Sequence, residues 1–373
     1  MKPRVLVTVS NDLVTDHRVH KTCMTLHRLG WEVLLIGRIL PHSPSMNPRP
    51  YPTKRMNLLF KKGPLFYAEM NLRYFLFLLF AKKTALLSND LDTLPANFLA
   101  AKLSGCSLVF DSHEYYTEVP ELVTRPLVQG VWKRIEKWIV PHLKFAYTVA
   151  GPIAELFQKN YQVNFEVVMN APLLNLKRPT GKHDLSGFKE KIILVQGGGI
   201  NIDRGMEELI EAMQYVKGGV LLIVGAGDVI PILKEKTKTL GLENKVIFYG
   251  RVPIEELGEI APQAYVGLSI DKATNLNYEL SLPNKLFDYI HAELPLICTP
   301  LPEVKRMVEK YEVGVVIEHL EPNYLAAQIN LFLENEAARE QFSKNCLKAK
   351  EELCWEKEEQ KIIRIFDQIY GRS

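Results

Sequence analysis

The chain has 373 residues, 47% hydrophobic and 24% charged, with 46 Lys and Arg against 43 Asp and Glu and only 5 cysteines. That length predicts two domains, each with its own core, and the apolar fraction with ordinary Gly and Pro shares excludes a disordered or collagen-like chain. The cysteines are odd in number, far apart and without CxxC spacing, which argues against a disulfide scaffold or a cysteine zinc site and predicts reduced thiols in a cytoplasmic protein.

The chain opens on Met1-Lys2-Pro3-Arg4 and a strand-like Val5-Leu6-Val7-Thr8-Val9, without the apolar stretch and small-residue cleavage site of a signal peptide. The longest unbroken apolar run, Tyr74 to Ala81, is eight residues, short of the ~20 that span a bilayer. A soluble or peripheral protein is expected, cytoplasmic or at the inner face of the membrane. Short apolar runs alternate with amphipathic stretches, the pattern of βαβ units around a parallel sheet. In the first half, strands are predicted near 4–9, 32–36, 84–88, 107–110 and 145–149, and helices near 16–29, 65–81, 93–103, 126–139 and 151–160.

Three stretches of that half carry chemistry. Residues 54–83 interleave Lys and Arg with aromatics, which suits a core helix with basic flanks or a peripheral contact with an anionic membrane. Nucleic acid is disfavoured, because the total charge is near neutral and no RNA or DNA motif is present. Asn89-Asp90-Leu91-Asp92 contains a D-x-D spacing that can hold a divalent ion, or forms a strand-ending turn in which Asp92 caps a helix at Thr93. Asp111-Ser112-His113-Glu114 places a titratable cluster after a buried strand, where His113 can donate or accept at neutral pH.

Asn170 to Lys191 has no apolar period and reads as a linker. Beyond it, strands are predicted near 191–196, 220–224, 245–249, 264–270, 295–297 and 314–316, and helices near 203–215, 229–240, 253–261, 283–292 and 302–309, with 322–369 helical throughout. The fold class is thus α/β, two doubly wound Rossmann-like domains in tandem. Ligands of such sheets lie outside the carboxyl ends of the strands, so a cleft between facing domains is expected. Residues 1–173 hold 21 Lys and Arg against 13 Asp and Glu, net +8, while 174–373 hold 25 against 30, net −5, and opposite signs suit different partners.

In Val195-Gln196-Gly197-Gly198-Gly199-Ile200-Asn201-Ile202-Asp203-Arg204-Gly205 an apolar strand ends in glycines that let backbone approach a ligand. Arg204 is then expected in the first turn of the following helix, where a cation opposes the helix dipole and an anionic ligand would compensate. Val224-Gly225-Ala226-Gly227-Asp228 is a weaker Gly-x-Gly turn, equally readable as Asp228 capping the next helix. In Glu279-Leu280-Ser281-Leu282-Pro283-Asn284-Lys285-Leu286-Phe287-Asp288, Lys285 and Asp288 share one helix face at the carboxyl edge of the sheet.

Taken in order, these segments with Phe248-Tyr249-Gly250-Arg251-Val252 resemble the nucleotide-sugar domain of glycosyltransferase family 4, retaining enzymes of the GT-B fold. Asp16-His17-Arg18-Val19-His20-Lys21 and Asp111-Ser112-His113-Glu114 resemble that family's first domain. The resemblance implies an acceptor domain over 1–173, a nucleotide-sugar domain over 174–354, and a crossover helix over 355–373 that packs on the first domain. It implies Arg204 and Lys285 on the donor diphosphate, Asp288 on the ribose, Arg251 and Val252 against the base, and His113 beside the transferred sugar. Gly198, Gly199, Gly225, Gly227 and Asp228 would complete the donor site. The family's first acid stands eight positions before the second; here Leu280 occupies that place and Glu279 lies nine before Asp288, so Glu279 or the backbone and Ser281 would meet the sugar. The implied partners are a nucleotide diphosphate sugar as donor and a glycan, lipid-linked or small-molecule acceptor. Neither a cofactor nor a metal is implied. A nucleotide-sugar epimerase of the same fold and a non-catalytic nucleotide-sugar-binding subunit remain open alternatives.

Overall fold

Apolar runs bounded by Gly, Pro and Asn become the buried strands of two parallel sheets in the computed structural model, which describes residues 2–14, 16–43, 45–174 and 181–371. The chain divides into two compact units, one formed by 1–170 with 355–373 and the other by 171–354.

The first unit runs β1 (Arg4–Thr8), α1 (His17–Arg28), β2 (Glu32–Ile39), β3 (Thr53–Asn57), α2 (Gly63–Phe80), β4 (Ala85–Asn89), α3 (Asp90–Ser104), β5 (Ser107–Ser112), α4 (Pro120–Val123), α5 (Pro126–Ile139), β6 (Phe145–Thr148), α6 (Gly151–Tyr161) and β7 (Glu166–Val167). Its sheet has the order β3-β2-β1-β4-β5-β6-β7, parallel throughout. Strand β1 is the middle of the core, with Val5, Leu6 and Val7 fully buried. Helix α1 starts where Asp16 accepts the Val19 N–H at 3.0 Å. Helix α2 buries Phe66, Met70, Tyr74 and Leu78, one face at a four-residue spacing.

The edge strands β3 and β7 are additions to the sequence reading. Thr53–Asn57 is a Lys- and Arg-bearing edge strand, and charged, short edges are how sheets avoid further pairing. Helix α3 also begins three residues before the expected Thr93. Asp90 adopts a left-handed backbone, φ 58°, which turns β4 straight into the helix, so Asp92 lies within the first turn and is not its cap.

The second unit runs β8 (Lys191–Gly197), α7 (Met206–Ala212), β9 (Gly219–Gly225), α8 (Ile230–Thr239), β10 (Val246–Gly250), α9 (Ile254–Ile260), β11 (Val266–Ser269), α10 (Leu276–Leu280), α11 (Asn284–His291), β12 (Leu296–Cys298), α12 (Pro302–Tyr311), β13 (Gly314–Val316), α13 (Pro322–Glu334) and α14 (Glu336–Glu352). The sheet order is β10-β9-β8-β11-β12-β13, again parallel. Residues 175–180 of the expected linker lie outside the described residues. Its remainder is mostly exposed but anchored: the Lys182 and His183 amides donate to Glu259 Oε2 at 2.9 and 3.2 Å, and Leu185 is buried.

The terminal helical segment is three helices. Asn335 ends α13 and caps α14 by accepting the Ala338 N–H at 3.0 Å. After Leu353 and Cys354, α15 (Trp355–Tyr370) joins the first unit. Trp355 Nε1 donates to Thr25 Oγ1 at 3.0 Å, the Met169 amide donates to Glu358 at 2.7 Å, and Trp31 meets Phe366 edge-on at 5.1 Å. No described helix is long and apolar enough to cross a membrane.

Candidate active site

In each sheet the chain leaves neighbouring central strands in opposite directions, and the crevice at that switch point is where parallel sheets take ligands. In the second unit the switch lies between β8 and β11. Arg204, from the loop after β8, and Lys285, from the first turn of α11, converge there on Asp271, which follows β11. Arg204 Nη1 lies 3.2 Å and Lys285 Nζ 3.0 Å from the same oxygen, Asp271 Oδ1. Asp271 is 1% exposed. Burial alone would raise its carboxyl, but the Lys285 ammonium and the Arg204 guanidinium outweigh that and hold it below the usual carboxylate range.

Arg204 precedes α7 and does not lie in its first turn, where the sequence predicts it. Asp203 and Gly205 both adopt left-handed backbone, φ 65° and 70°, so α7 cannot begin before Met206. A Cβ at Gly205 would stand 2.4 Å from the Ile270 carbonyl, so only glycine lets this loop close on β11. The compensation for Arg204 is therefore a buried carboxylate and an aromatic face: its guanidinium carbon sits 4.2 Å from the Tyr278 ring centroid.

The other expected donor residues spread around this centre. Asp288 Oδ2 accepts from Gln196 Nε2 at 3.4 Å, tying α11 to the end of β8. Glu279 lies on α10, a separate five-residue helix capped by Asn275 Oδ1 accepting the Tyr278 N–H at 2.9 Å. It borders a cavity of about 600 Å³ together with Asp271 and Lys272. The Ser281 hydroxyl donates to the Tyr278 carbonyl at 3.0 Å, closing the same loop. Arg251 and Val252 follow β10 at the sheet edge, two strands from β8, with Arg251 exposed.

The glycines divide into two kinds. A Cβ at Gly225 would lie 2.2 Å from the Gly197 carbonyl oxygen, and one at Gly227 1.9 Å from that of Ile200. These two are required because the loops after β8 and β9 pack backbone on backbone. A Cβ at Gly199 would meet Asn201 at 3.0 Å, and one at Gly198 would meet nothing within 4 Å, so Gly198 presents open backbone. Asp228 does not cap α8, whose N-cap is Val229 without a side-chain bond.

In the first unit, His113 is gripped from three directions. Its Nε2 is 3.0 Å from Asp111 Oδ2 and 3.2 Å from Asn89 Oδ1, its Nδ1 is 3.3 Å from Asp90 Oδ2, and its own amide donates to Asp90 Oδ1 at 2.9 Å. Asp111 is fully buried and forms a two-point pair with Arg18: Nε to Oδ2 at 3.0 Å and Nη2 to Oδ1 at 2.8 Å. Burial would lower His113, yet the Asp90 and Asp111 carboxylates raise it to about 10. Burial would raise Asp111, yet Arg18 and His113 lower it to about 2.

These shifts fix a pH dependence. The His113 contribution to stability is complete below its ordinary 6.5 and lost as pH rises towards about 10. The Asp111 contribution is complete above its ordinary 3.8 and lost as pH falls towards about 2. Urea midpoints should therefore decline on the alkaline side of neutrality, and His113→Asn should flatten that decline; an unchanged slope in the variant would contradict the account.

The sequence reading placed Arg204, Lys285 and His113 at strand ends, and the structure adds the groups that hold them. Asp271, Tyr278 and Asp90 were missed as partners. Asp271 had a local signal, a lone acid directly after the buried run Val266 to Ile270; nothing local announced Tyr278.

Residues 180–349 match the family model described as glycosyl transferases group 1. No curated protein matches the chain by sequence. Among solved structures, a sucrose-phosphate synthase from Thermosynechococcus elongatus is similar at 17% identity and a TM-score of 0.81, over 100% of both chains. A glycosyltransferase from Rickettsia africae is similar at 14% identity and 0.72, over 100% of both. Anabaena HepE in complex with UDP and glucose is similar at 13% identity and 0.76, over 98% of this chain and 100% of that one. At such identities the likeness shows the fold, and the fold is GT-B.

Proposed function

We propose, from a second unit that carries a glycosyl transferases group 1 domain in a GT-B fold, that this chain moves a sugar from a nucleotide diphosphate sugar to a glycan, lipid-linked or small-molecule acceptor, with retention of configuration and without a metal. The observation that carries the reading is the pair Arg204 and Lys285 on one oxygen of Asp271 at the switch point. Two cations share that one carboxylate oxygen, so the pair carries one positive charge more than Asp271 balances, in a crevice that Glu208 and Glu279 also line. HepE, of the same fold, is described with UDP and glucose, which supports a uridine nucleotide as the first donor to test.

As the glycosidic bond breaks, negative charge grows on the β-phosphate oxygens. Groups already fixed in place stabilise that charge more than they stabilise the ground state, and this difference is catalysis. Arg204 is fixed by Asp271 and Tyr278, and Lys285 by Asp271. In this reading Gly198 and Gly199 offer backbone to the phosphates, Asp288 takes the ribose, and Arg251 and Val252 border the base. Glu279 and Ser281 meet the transferred sugar. Proton NMR of the product formed from UDP-glucose, with and without a chelator, tests the reading: an α-linked product insensitive to chelator is expected, and a β-linked or chelator-abolished product would contradict it.

The reading includes a peripheral contact with an anionic membrane through 54–83. Leu65, Leu72, Leu76 and Phe80 form an exposed stripe along α2, with Phe80 81% exposed, and Lys61, Lys62 and Lys82 are exposed at its ends. Co-sedimentation with vesicles containing phosphatidylglycerol is expected, with at least a tenfold loss in a Leu72→Glu, Phe80→Glu variant; equal binding to vesicles of phosphatidylcholine alone would contradict the electrostatic part.

A further inference from the structure

At the opposite end of the second sheet from the candidate active site, where β8 and β11 begin, lies a cavity of about 340 Å³. That volume is inside the range of roughly 300–1,000 Å³ in which proteins enclose small molecules. Its apolar lining is Leu185, Ile192 and Ala264, all buried, with the half-buried Phe188. Its basic lining is Lys191, the first residue of β8, and Arg339, near the start of α14.

Both cations lie against one ring: Lys191 Nζ is 4.0 Å and the Arg339 guanidinium carbon 4.7 Å from the Tyr265 centroid. Lys191 is otherwise satisfied, donating to the Leu333 carbonyl at 2.6 Å and to Glu336 Oε2 at 3.4 Å; that same oxygen accepts the Tyr265 hydroxyl at 2.7 Å. Arg339 is not. Its Nε donates to the Tyr265 carbonyl at 3.3 Å, but Nη1 stands 3.8 Å from Glu336 Oε1, too far for a hydrogen bond. Among the described residues Nη1 and Nη2 thus have no acceptor, although the side chain is only 25% exposed. A guanidinium so far withdrawn from water, lining a cavity with its fork unpaired, calls for an anion.

An anion here needs a planar head for the Arg339 fork and an apolar body for Leu185, Ile192, Ala264 and Phe188. It also meets Glu190, an exposed acid of the same lining, which repels a second negative charge. We propose that this cavity binds a small organic carboxylate with an apolar body, its two oxygens accepting from Nη1 and Nη2 of Arg339. The site shares no residue with the crevice of Arg204, Lys285 and Asp271, and it stands whether or not the chain transfers a sugar.

Calorimetric titration of the full chain with benzoate, phenylacetate, hexanoate and octanoate tests it, with benzyl alcohol and phenyl phosphate as comparison ligands. At least one carboxylate should bind saturably at a single site, more tightly than either comparison ligand. Arg339→Gln and Phe188→Ala should each weaken that carboxylate roughly tenfold or more, the effect of losing a charged hydrogen bond or a buried ring contact. Arg204→Ala should bind it as the parent does. Melting curves check that each variant folds, and the comparison ligands test the proposal on the parent alone. It is overturned if no carboxylate gives a saturable heat, if benzyl alcohol or phenyl phosphate binds as tightly, or if either cavity variant folds and binds like the parent. Loss of the ligand in Arg204→Ala would place it in the candidate active site and overturn the proposal as well.

Discussion

Arg204→Ala should lower the rate of donor turnover by about 10²–10³-fold, the effect of removing one fixed donor from a developing anion. The loss should fall on kcat more than on KM, because the ground-state diphosphate keeps Lys285. Arg204→Lys should recover only part of the rate. A lysine retains the charge but loses the planar fork, and with it the simultaneous contact to Asp271 Oδ1 at 3.2 Å and the face of Tyr278 at 4.2 Å. Hydrolysis of UDP-glucose without acceptor is a sufficient assay, and near-parental turnover in Arg204→Ala would remove Arg204 from the mechanism.

Arg18→Met should destabilise the first unit by about 3 kcal/mol, the low end of the cost of breaking a buried ion pair, because Asp111 loses its two-point partner but keeps His113 Nε2 at 3.0 Å. Asp111 is fully buried, and Arg18 supplies both of its guanidinium contacts as well as a 2.9 Å bond to the Val168 carbonyl. Restoring balance by Arg18→Met with Asp111→Leu should recover part of the loss, because a well-packed apolar pair is often no worse than the ion pair it replaces. The four tryptophans, Trp31, Trp132, Trp138 and Trp355, all belong to the first unit, so their fluorescence follows its urea unfolding selectively. A single variant as stable as the parent would show that the pair does not hold this unit together.

The parallel sheets were legible because their central strands are unbroken apolar runs with no alternation, such as Val5 to Val7 and Val220 to Val224. The edge strand Thr53–Asn57 was not, because an edge buries too little for its residues to be apolar. Helix starts differ from expectation where non-glycine residues take left-handed backbone: Asp90 and Asp203 redirect the chain, and although Asp is enriched in that region, most Asp residues lie elsewhere, so identity alone does not place the turn. At the candidate site the cations were legible, since Arg204 and Lys285 stand next to glycines or a helix start at strand ends. Their counter-charge was not. Asp271 is 67 residues from Arg204 and 14 from Lys285, and only the order β8-β11 brings the three together. The same holds for Arg18 and Asp111, 93 residues apart and joined by the first sheet.

The central claim is that the crevice between β8 and β11 binds a nucleotide diphosphate sugar through Arg204 and Lys285. Its most direct test is the melting temperature of the full chain with UDP, GDP, ADP and their hexose conjugates, each also tested on Arg204→Ala and Lys285→Ala. A ligand at 100 times its dissociation constant adds about 2.7 kcal/mol to the folded state, a resolvable rise. The account predicts such a rise with at least one nucleotide, diminished in both variants; no rise with any of them, or one that both variants retain in full, would contradict it.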